Sequence, residues 1–153
     1  MPVPDTYAFE CSHDIVIDAP PAAVFDYLTN PRSWPEWIAV SHHVECADRP
    51  LGAGETFREK WFSREEIELA WTVLQAERPR RWVARTQAAF LGPIEVQYDF
   101  AAEGAGTRYR RTVRNPARPK PPTEAMIARI DAEAATALAN IKARVESRHA
   151  RKP

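Results

Sequence analysis

Apolar and polar residues alternate in short runs through most of this chain. Ile94, Val96, Tyr98 and Phe100 stand against Glu95, Gln97 and Asp99, the cleanest alternation, within Pro93 to Ala102. Ile67, Leu69, Trp71 and Val73 alternate with Glu66, Glu68, Ala70 and Thr72 over Glu66 to Glu77, the pattern of a half-buried strand. Similar runs predict strands over Phe9 to Asp18, Val40 to Ala47, Glu55 to Phe62, Arg81 to Leu91 and Thr107 to Arg114. The shared faces are Cys11, His13, Ile15 and Ile17; Val40, His42, Val44 and Cys46; Phe57, Glu59 and Trp61. Later in the chain they are Trp82, Ala84, Thr86, Ala88 and Phe90, then Tyr109, Arg111 and Val113. Asp48 to Gly54, Arg78-Pro79-Arg80, Gly92-Pro93 and Gly104-Ala105-Gly106 carry turn residues between these runs. Turns spaced by roughly 8–12 residues argue for an antiparallel sheet of adjacent hairpins.

The period changes at two places. After Ile15-Val16-Ile17, Pro20 and Pro21 stop the first strand and suit the first turn of a helix. Val24, Phe25 and Leu28 form one apolar face of that helix, and Asn30-Pro31 ends it. Arg32 to Trp37 predicts a second helical turn with Trp34 and Trp37 on one side. Near the other end, Asn115 to Thr123 is proline-rich and reads as a stiff connector. Thr123 is a plausible N-cap with Glu124 in the first turn. From there to about Ser147 no Gly or Pro occurs, and Ile127, Ile130, Ala134, Leu138, Ile141 and Val145 recur at steps of three and four. This predicts one amphipathic helix about 36 Å long at 1.5 Å per residue. Ile130, Ala134, Leu138 and Ile141 are expected to face the sheet.

Composition narrows the function classes. The chain has 153 residues, the size of one domain, read as spanning 1–153. Lys+Arg and Asp+Glu are both 21, so the net charge is 21 − 21 = 0 and no global field steers the protein to nucleic acid. No apolar run reaches about 18 residues, so no integral membrane segment is expected. Met1 to Asp5 lacks the basic and apolar regions of a signal peptide. Cys11 and Cys46 are too few for a secreted disulfide framework, and a cytoplasmic protein with both thiols reduced is expected.

The polar residues on apolar faces are the candidate chemistry. Glu59 and Arg111 are charges at inward positions, where a charge is costly unless paired. They read as a ligand contact, a structural ion pair or a register slip into solvent. His42-His43-Val44-Glu45-Cys46 splits its ligating residues between two faces and completes no metal site, so no metal or other cofactor is expected. His13 and His42 are acid/base candidates by residue type but have no carboxylate or nucleophile at a telling spacing. Trp34 and Trp37 read as packing anchors before gates. Arg108, Arg110 and Arg114, with Arg78, Arg80 and Arg81, read as a solvated face.

The order strand, two short helices, six strands, long helix resembles the START/Bet v 1-like (SRPBCC) superfamily, in its polyketide cyclase/dehydrase and lipid-transport group. IDAPPAAVFDYLTNPRSWPEW at 17–37, the Pro50–Gly54 turn, ERPRRW at 77–82 and YDF followed by GTRYR at 98–110 carry the resemblance, which spans about residues 9–148. It implies the α+β helix-grip fold: a seven-stranded antiparallel sheet wrapped around the C-terminal helix, with a cavity between them for a hydrophobic ligand. The expected cavity wall is Glu59, Trp71, Trp82, Phe90, Tyr98, Tyr109 and Arg111 on the sheet, closed by Ala134 to Leu138 of the helix. Large rings opposite Ala134, Ala135 and Ala137 either pack solid or leave a void. The implied function is binding of a hydrophobic or aromatic small molecule. The alternatives are a polyketide cyclase, dehydratase or aromatase using the same cavity, with catalytic residues unassigned, and a partner-binding role like that of chaperone activators. Monomer and homodimer both remain open.

Overall fold

The computed structural model describes residues 6–62, 65–89 and 91–151. The elements follow in the order β1 (Tyr7–Ile17), α1 (Pro21–Leu28), a 3-10 helix (Pro31–Glu36), β2 (Ser41–Glu45), β3 (Thr56–Phe62), β4 (Glu66–Glu77), β5 (Arg81–Ala88), β6 (Gly92–Glu103), β7 (Gly106–Arg118) and α2 (Glu124–Arg151). The strands form one seven-stranded sheet in the order β1-β7-β6-β5-β4-β3-β2, every pair antiparallel. This is the helix-grip arrangement. No described helix is long and apolar enough to cross a membrane.

Hairpins run in sequence from β2 to β7, and β1 closes the far edge beside β7. Cys11 on β1 and Cys46 just after β2 therefore sit at opposite edges, and both are free thiols. Two hairpin ends depend on glycine. Gly92 has φ +77°, and a Cβ there would collide with the Ala117 carbonyl oxygen. A Cβ on Gly106 would meet the Ile17 carbonyl oxygen at 2.5 Å, so β7 starts where only glycine lets it approach β1.

The outer face is a set of cross-strand ion pairs. Arg108 pairs with Asp14 and Glu103, Arg114 with Glu10 and Glu95, and Arg81 with Asp99. These arginines already have carboxylate partners, as a solvated face requires.

Three expectations change. β7 runs through Asn115 and Pro116 to Arg118, so the first half of the proline-rich stretch is strand. Pro116 is exposed and its missing N–H costs no ladder bond that the core needs. In β2 a register shift between Ser41 and His43 breaks the alternation. Ser41 and Val44 turn inward while His42 and His43 are exposed, so His42 does not share a buried face with Val44. Finally, α2 extends to Arg151, past the end expected near Ser147, and makes its closest approach to β1 and α1.

That placement decides which part of α2 is buried. Leu138, Ile141 and Val145 belong to the core and Ala134 is buried, but Ile130 is only half-buried and Ile127 and Ala135 are exposed. Thr123 caps the helix as expected, its Oγ1 accepting from Met126 N at 3.1 Å. The C-terminal half is tied to the end of β1: Asp18 N donates to Glu146 Oε2 at 2.7 Å, and Lys142 Nζ donates to the Val16 carbonyl at 3.2 Å. Ile141→Ala should cost about 2–5 kcal/mol in urea unfolding, the range for a fully enclosed aliphatic side chain. Ile130→Ala should cost far less, and equal losses would place the buried stripe further towards the N-terminus of α2.

Candidate functional site

The interior of the sheet is filled at one end and open at the other. The filled end is aromatic. Trp34, from the 3-10 helix, meets Trp37, Phe57, Trp71, Trp82 and Tyr98 edge to face at centroid distances of 6.3, 5.2, 5.5, 6.1 and 6.4 Å. Tyr98 continues to Tyr109 at 5.6 Å, and Tyr109 stacks on Phe100 at 5.3 Å. Two of the indole N–H groups donate to main-chain carbonyls, Trp34 to Leu28 at 3.2 Å and Trp82 to Leu51 at 2.9 Å.

The open end is a cavity of about 510 Å³, within the range of roughly 300–1,000 Å³ usual for small-molecule sites. β1 contributes Phe9, Cys11 and His13, and β7 contributes Arg111, Val113 and Asn115. The segment leaving the 3-10 helix adds Trp37, Ile38 and Val40; β3 adds Trp61 and β6 adds Ile94. The N-terminal half of α2 closes it with Ile130, Ala134, Ala137 and Asn140. Alanines on α2 leave the volume that larger side chains would occupy.

Two polar groups on this wall stand out. His13 Nε2 lies 2.8 Å from Asp131 Oδ1, so a strand histidine gains a carboxylate from α2. Arg111 is registered opposite His13 on one side and Tyr98 on the other. Its Cζ lies 5.7 Å from the centre of the Trp37 ring. It forms no ion pair among the described residues, and its buried Nε has no hydrogen-bond partner. Burial works against its charge, but a guanidinium keeps its proton in proteins, so it remains a cation. Burial likewise pushes the Tyr98 phenol up to about 12, and the Cys11 thiol up despite the nearby Arg111.

Glu59 lies behind the wall and is fully enclosed. Trp71 Nε1 donates to its Oε1 at 3.0 Å, while Oε2 is unpartnered. Ser41 and Trp61 are near enough to favour the carboxylate, yet Ser41 Oγ and Trp61 Nε1 complete no well-aligned hydrogen bond. Together with the Tyr98 and Tyr109 hydroxyls, these unpartnered atoms all belong to inward positions of β2, β3, β6 and β7.

The residues 8–146 match the family described as polyketide cyclase/dehydrase and lipid transport. The chain belongs to this family. No curated protein matches it in sequence. Among solved structures, it is similar to the Zhui aromatase/cyclase from Streptomyces sp. R1128, with 15% identity, TM-score 0.74, and 93% of this chain and 96% of that one covered. Protein CV1439 from Chromobacterium violaceum shares 14% identity at TM-score 0.72, covering 90% and 96%. Ara h 8.0201 shares 11% at TM-score 0.71, covering 92% and 99%. At such identities these likenesses establish the helix-grip fold.

Within that fold the expected wall is redistributed. Arg111 and Ala134 do line the cavity. Trp71, Trp82, Tyr98 and Tyr109 do not: their rings fill the interior against Trp34 or one another. Glu59 is sealed behind Trp61 and Trp71, and Leu138 is packed into the core beyond the cavity. Phe90 lies outside the described residues. Glu59 and Arg111 are not a direct pair, since no ion pair joins them within 4.0 Å among the described residues. Cys11 and His13 were placed on one face by alternation, but their role as wall, with Phe9, depends on β1 neighbouring β7. Asp131 sits on the polar side of the helical pattern, and only the tilt of α2 along β1 brings it to His13.

A second recess, of about 630 Å³, lies outside the sheet between α1, the 3-10 helix and the end of α2. Its acidic groups are already engaged: Glu36 by Tyr27, Arg144 and Arg148, Asp26 by Arg78, and Asp48 by Asn30. The inner cavity, with its apolar wall and unpaired cation, is the stronger candidate.

The state of Glu59 has a measurable consequence. Burial raises its pKa above the ordinary carboxylate value, against the opposing pull of Ser41, Trp61, Trp71 and Arg111. The folded protein therefore keeps this proton at pH values where the unfolded chain has lost it. Stability falls as pH rises from the ordinary carboxylate range through the raised value, and the loss is complete above it. Glu59→Gln removes that contribution. Its melting temperature relative to wild type should climb as the pH rises above the ordinary carboxylate range, and a constant difference would mean the carboxyl titrates as in the unfolded chain.

Proposed function

We propose that this protein binds a hydrophobic or aromatic small molecule in the cavity between the sheet, the 3-10 helix and α2. The observation that carries this reading is the mainly apolar wall around about 510 Å³, closed by small residues of α2. Membership in a family described by cyclase, dehydrase and lipid-transport activities supports it. The expected ligand-contacting residues shift accordingly, from the aromatic core to Arg111, Ala134, Trp37, Trp61, Ile94 and Ile130.

An enzyme of the polyketide cyclase or dehydratase type is the second reading, favoured by one arrangement. His13, held by Asp131, stands opposite Arg111 on the cavity wall. A histidine oriented by a carboxylate moves protons, and an adjacent guanidinium stabilises a developing enolate oxygen. One related structure is described as an aromatase/cyclase. His13→Asn would then stop turnover of a poly-β-ketone while leaving its binding, and unchanged turnover ends this reading.

Ala134→Phe tests the binding reading. The new ring occupies ligand space at a buried position on the wall. Wild type should bind the neutral dye Nile red saturably, and the variant should lose at least tenfold in affinity while keeping its circular dichroism spectrum. Undiminished binding by the variant would put the dye elsewhere.

A further inference from the structure

We infer that the occupant of this cavity is a monoanionic organic acid, with its carboxylate on Arg111 and an apolar body along Trp37, Ile38 and Ile94. The inference rests on the cavity-binding reading above and adds the charge of the ligand to it.

The charge balance of the wall supports it. The cavity is lined by the cations Arg111 and Arg118 and by the carboxylates Glu36 and Glu133. Neither carboxylate comes within 4.0 Å of Arg111. Glu36 takes Arg144 at 3.6 Å and Arg148 at 3.5 Å, both from the last turns of α2, and the hydroxyl of Tyr27. Glu133 faces Arg129 at 3.9 Å along α2. His13 is engaged by Asp131. Arg118 is occupied by neutral acceptors: Asn115 Oδ1 at 2.9 Å, the Lys120 carbonyl at 3.3 Å and Met126 Sδ at 3.2 Å. Arg111 has none of these. It sits in the row His13–Arg111–Tyr98, among the groups least able to supply negative charge.

Arg111 is half-buried with its Nε enclosed and unpartnered; a cation in such a setting without a counter-ion is costly, and an occupant that brings the missing charge removes the cost. Trp37 covers one face of the guanidinium, which leaves its planar edge for two parallel N–H···O bonds to a carboxylate. Of the two lining cations only Arg111 makes no hydrogen bond among the described residues, which matches a single charge. Ile38, Val40, Ile94, Val113 and Ile130 offer apolar contact, beside the neutral polar side chains of Asn115, Thr136 and Asn140.

The test compares ligands that share a body and differ in charge. Binding of 2-naphthylacetic acid and of 2-(2-naphthyl)ethanol is measured by calorimetry at pH 7.5, with Nile red as a neutral reference. Wild type should prefer the acid by at least tenfold. Arg111→Met should bring acid and alcohol within about twofold of each other, and Arg111→Lys should keep part of the preference. In ligand-free protein Arg111→Met should not lower the melting temperature, because it removes an unpaired charge. Saturating acid should raise the melting temperature of wild type and not of that variant. Equal binding of acid and alcohol by wild type overturns the inference and leaves the cavity reading standing, provided Nile red binds. A preference for acid that survives Arg111→Met also overturns it. If neither naphthyl compound nor Nile red binds, the cavity reading falls and takes this inference with it.

Discussion

The structure depends on where Trp34 goes. The 3-10 helix that carries it begins at Pro31, is capped by Asn30 through Arg32 N, and contains Pro35. Those constraints hold the segment against the sheet and aim one large indole into its centre. There Trp34 lies at 5.2 Å from Phe57 and 5.5 Å from Trp71, both nearly perpendicular. Edge-to-face contacts of this kind add to an already large burial, and the indole N–H finds the Leu28 carbonyl. A sheet rich in aromatic residues thereby gets a plug of matching bulk from outside the sheet.

The plug explains why the interior is divided. Rings on β3 to β7 meet Trp34, Trp37 and one another instead of walling a cavity. Space survives where the plug ends, between β1, β7 and the N-terminal half of α2. The helix is anchored at its other end by Ile141, Val145 and the Glu146–Asp18 contact. Anchoring one end and leaving small side chains at the other keeps that space open.

Arg111 stands at the boundary between the two halves. Its buried Nε adjoins the tyrosines of the filled half, while the side chain opens on the cavity. Family membership says which fold carries this arrangement, and the fold hosts many activities. The distinguishing chemistry of this chain is local: an unpaired guanidinium, a histidine oriented by Asp131, and an apolar wall.

Alternation in residues 94–100 and 66–77, the prolines at 20 and 21, and the capped helix from Thr123 were enough to identify the elements and their order. These are local signals, because side-chain period and backbone restriction act over a few residues. The inward positions of Glu59 and Arg111 were legible for the same reason. What alternation leaves open is depth. It places Trp71, Trp82, Tyr98 and Tyr109 on an inner face, but whether an inner face meets a ligand, a helix or another ring depends on what packs across from it. Here a residue from the 3-10 helix, Trp34, takes that place. The bulge that turns His42 outward and the meeting of His13 with Asp131, 118 residues away, likewise depend on how strands and helix are set against each other. Sequence period therefore determined the elements and the side each residue faces, and tertiary packing alone decided which side is solid and where the cavity lies.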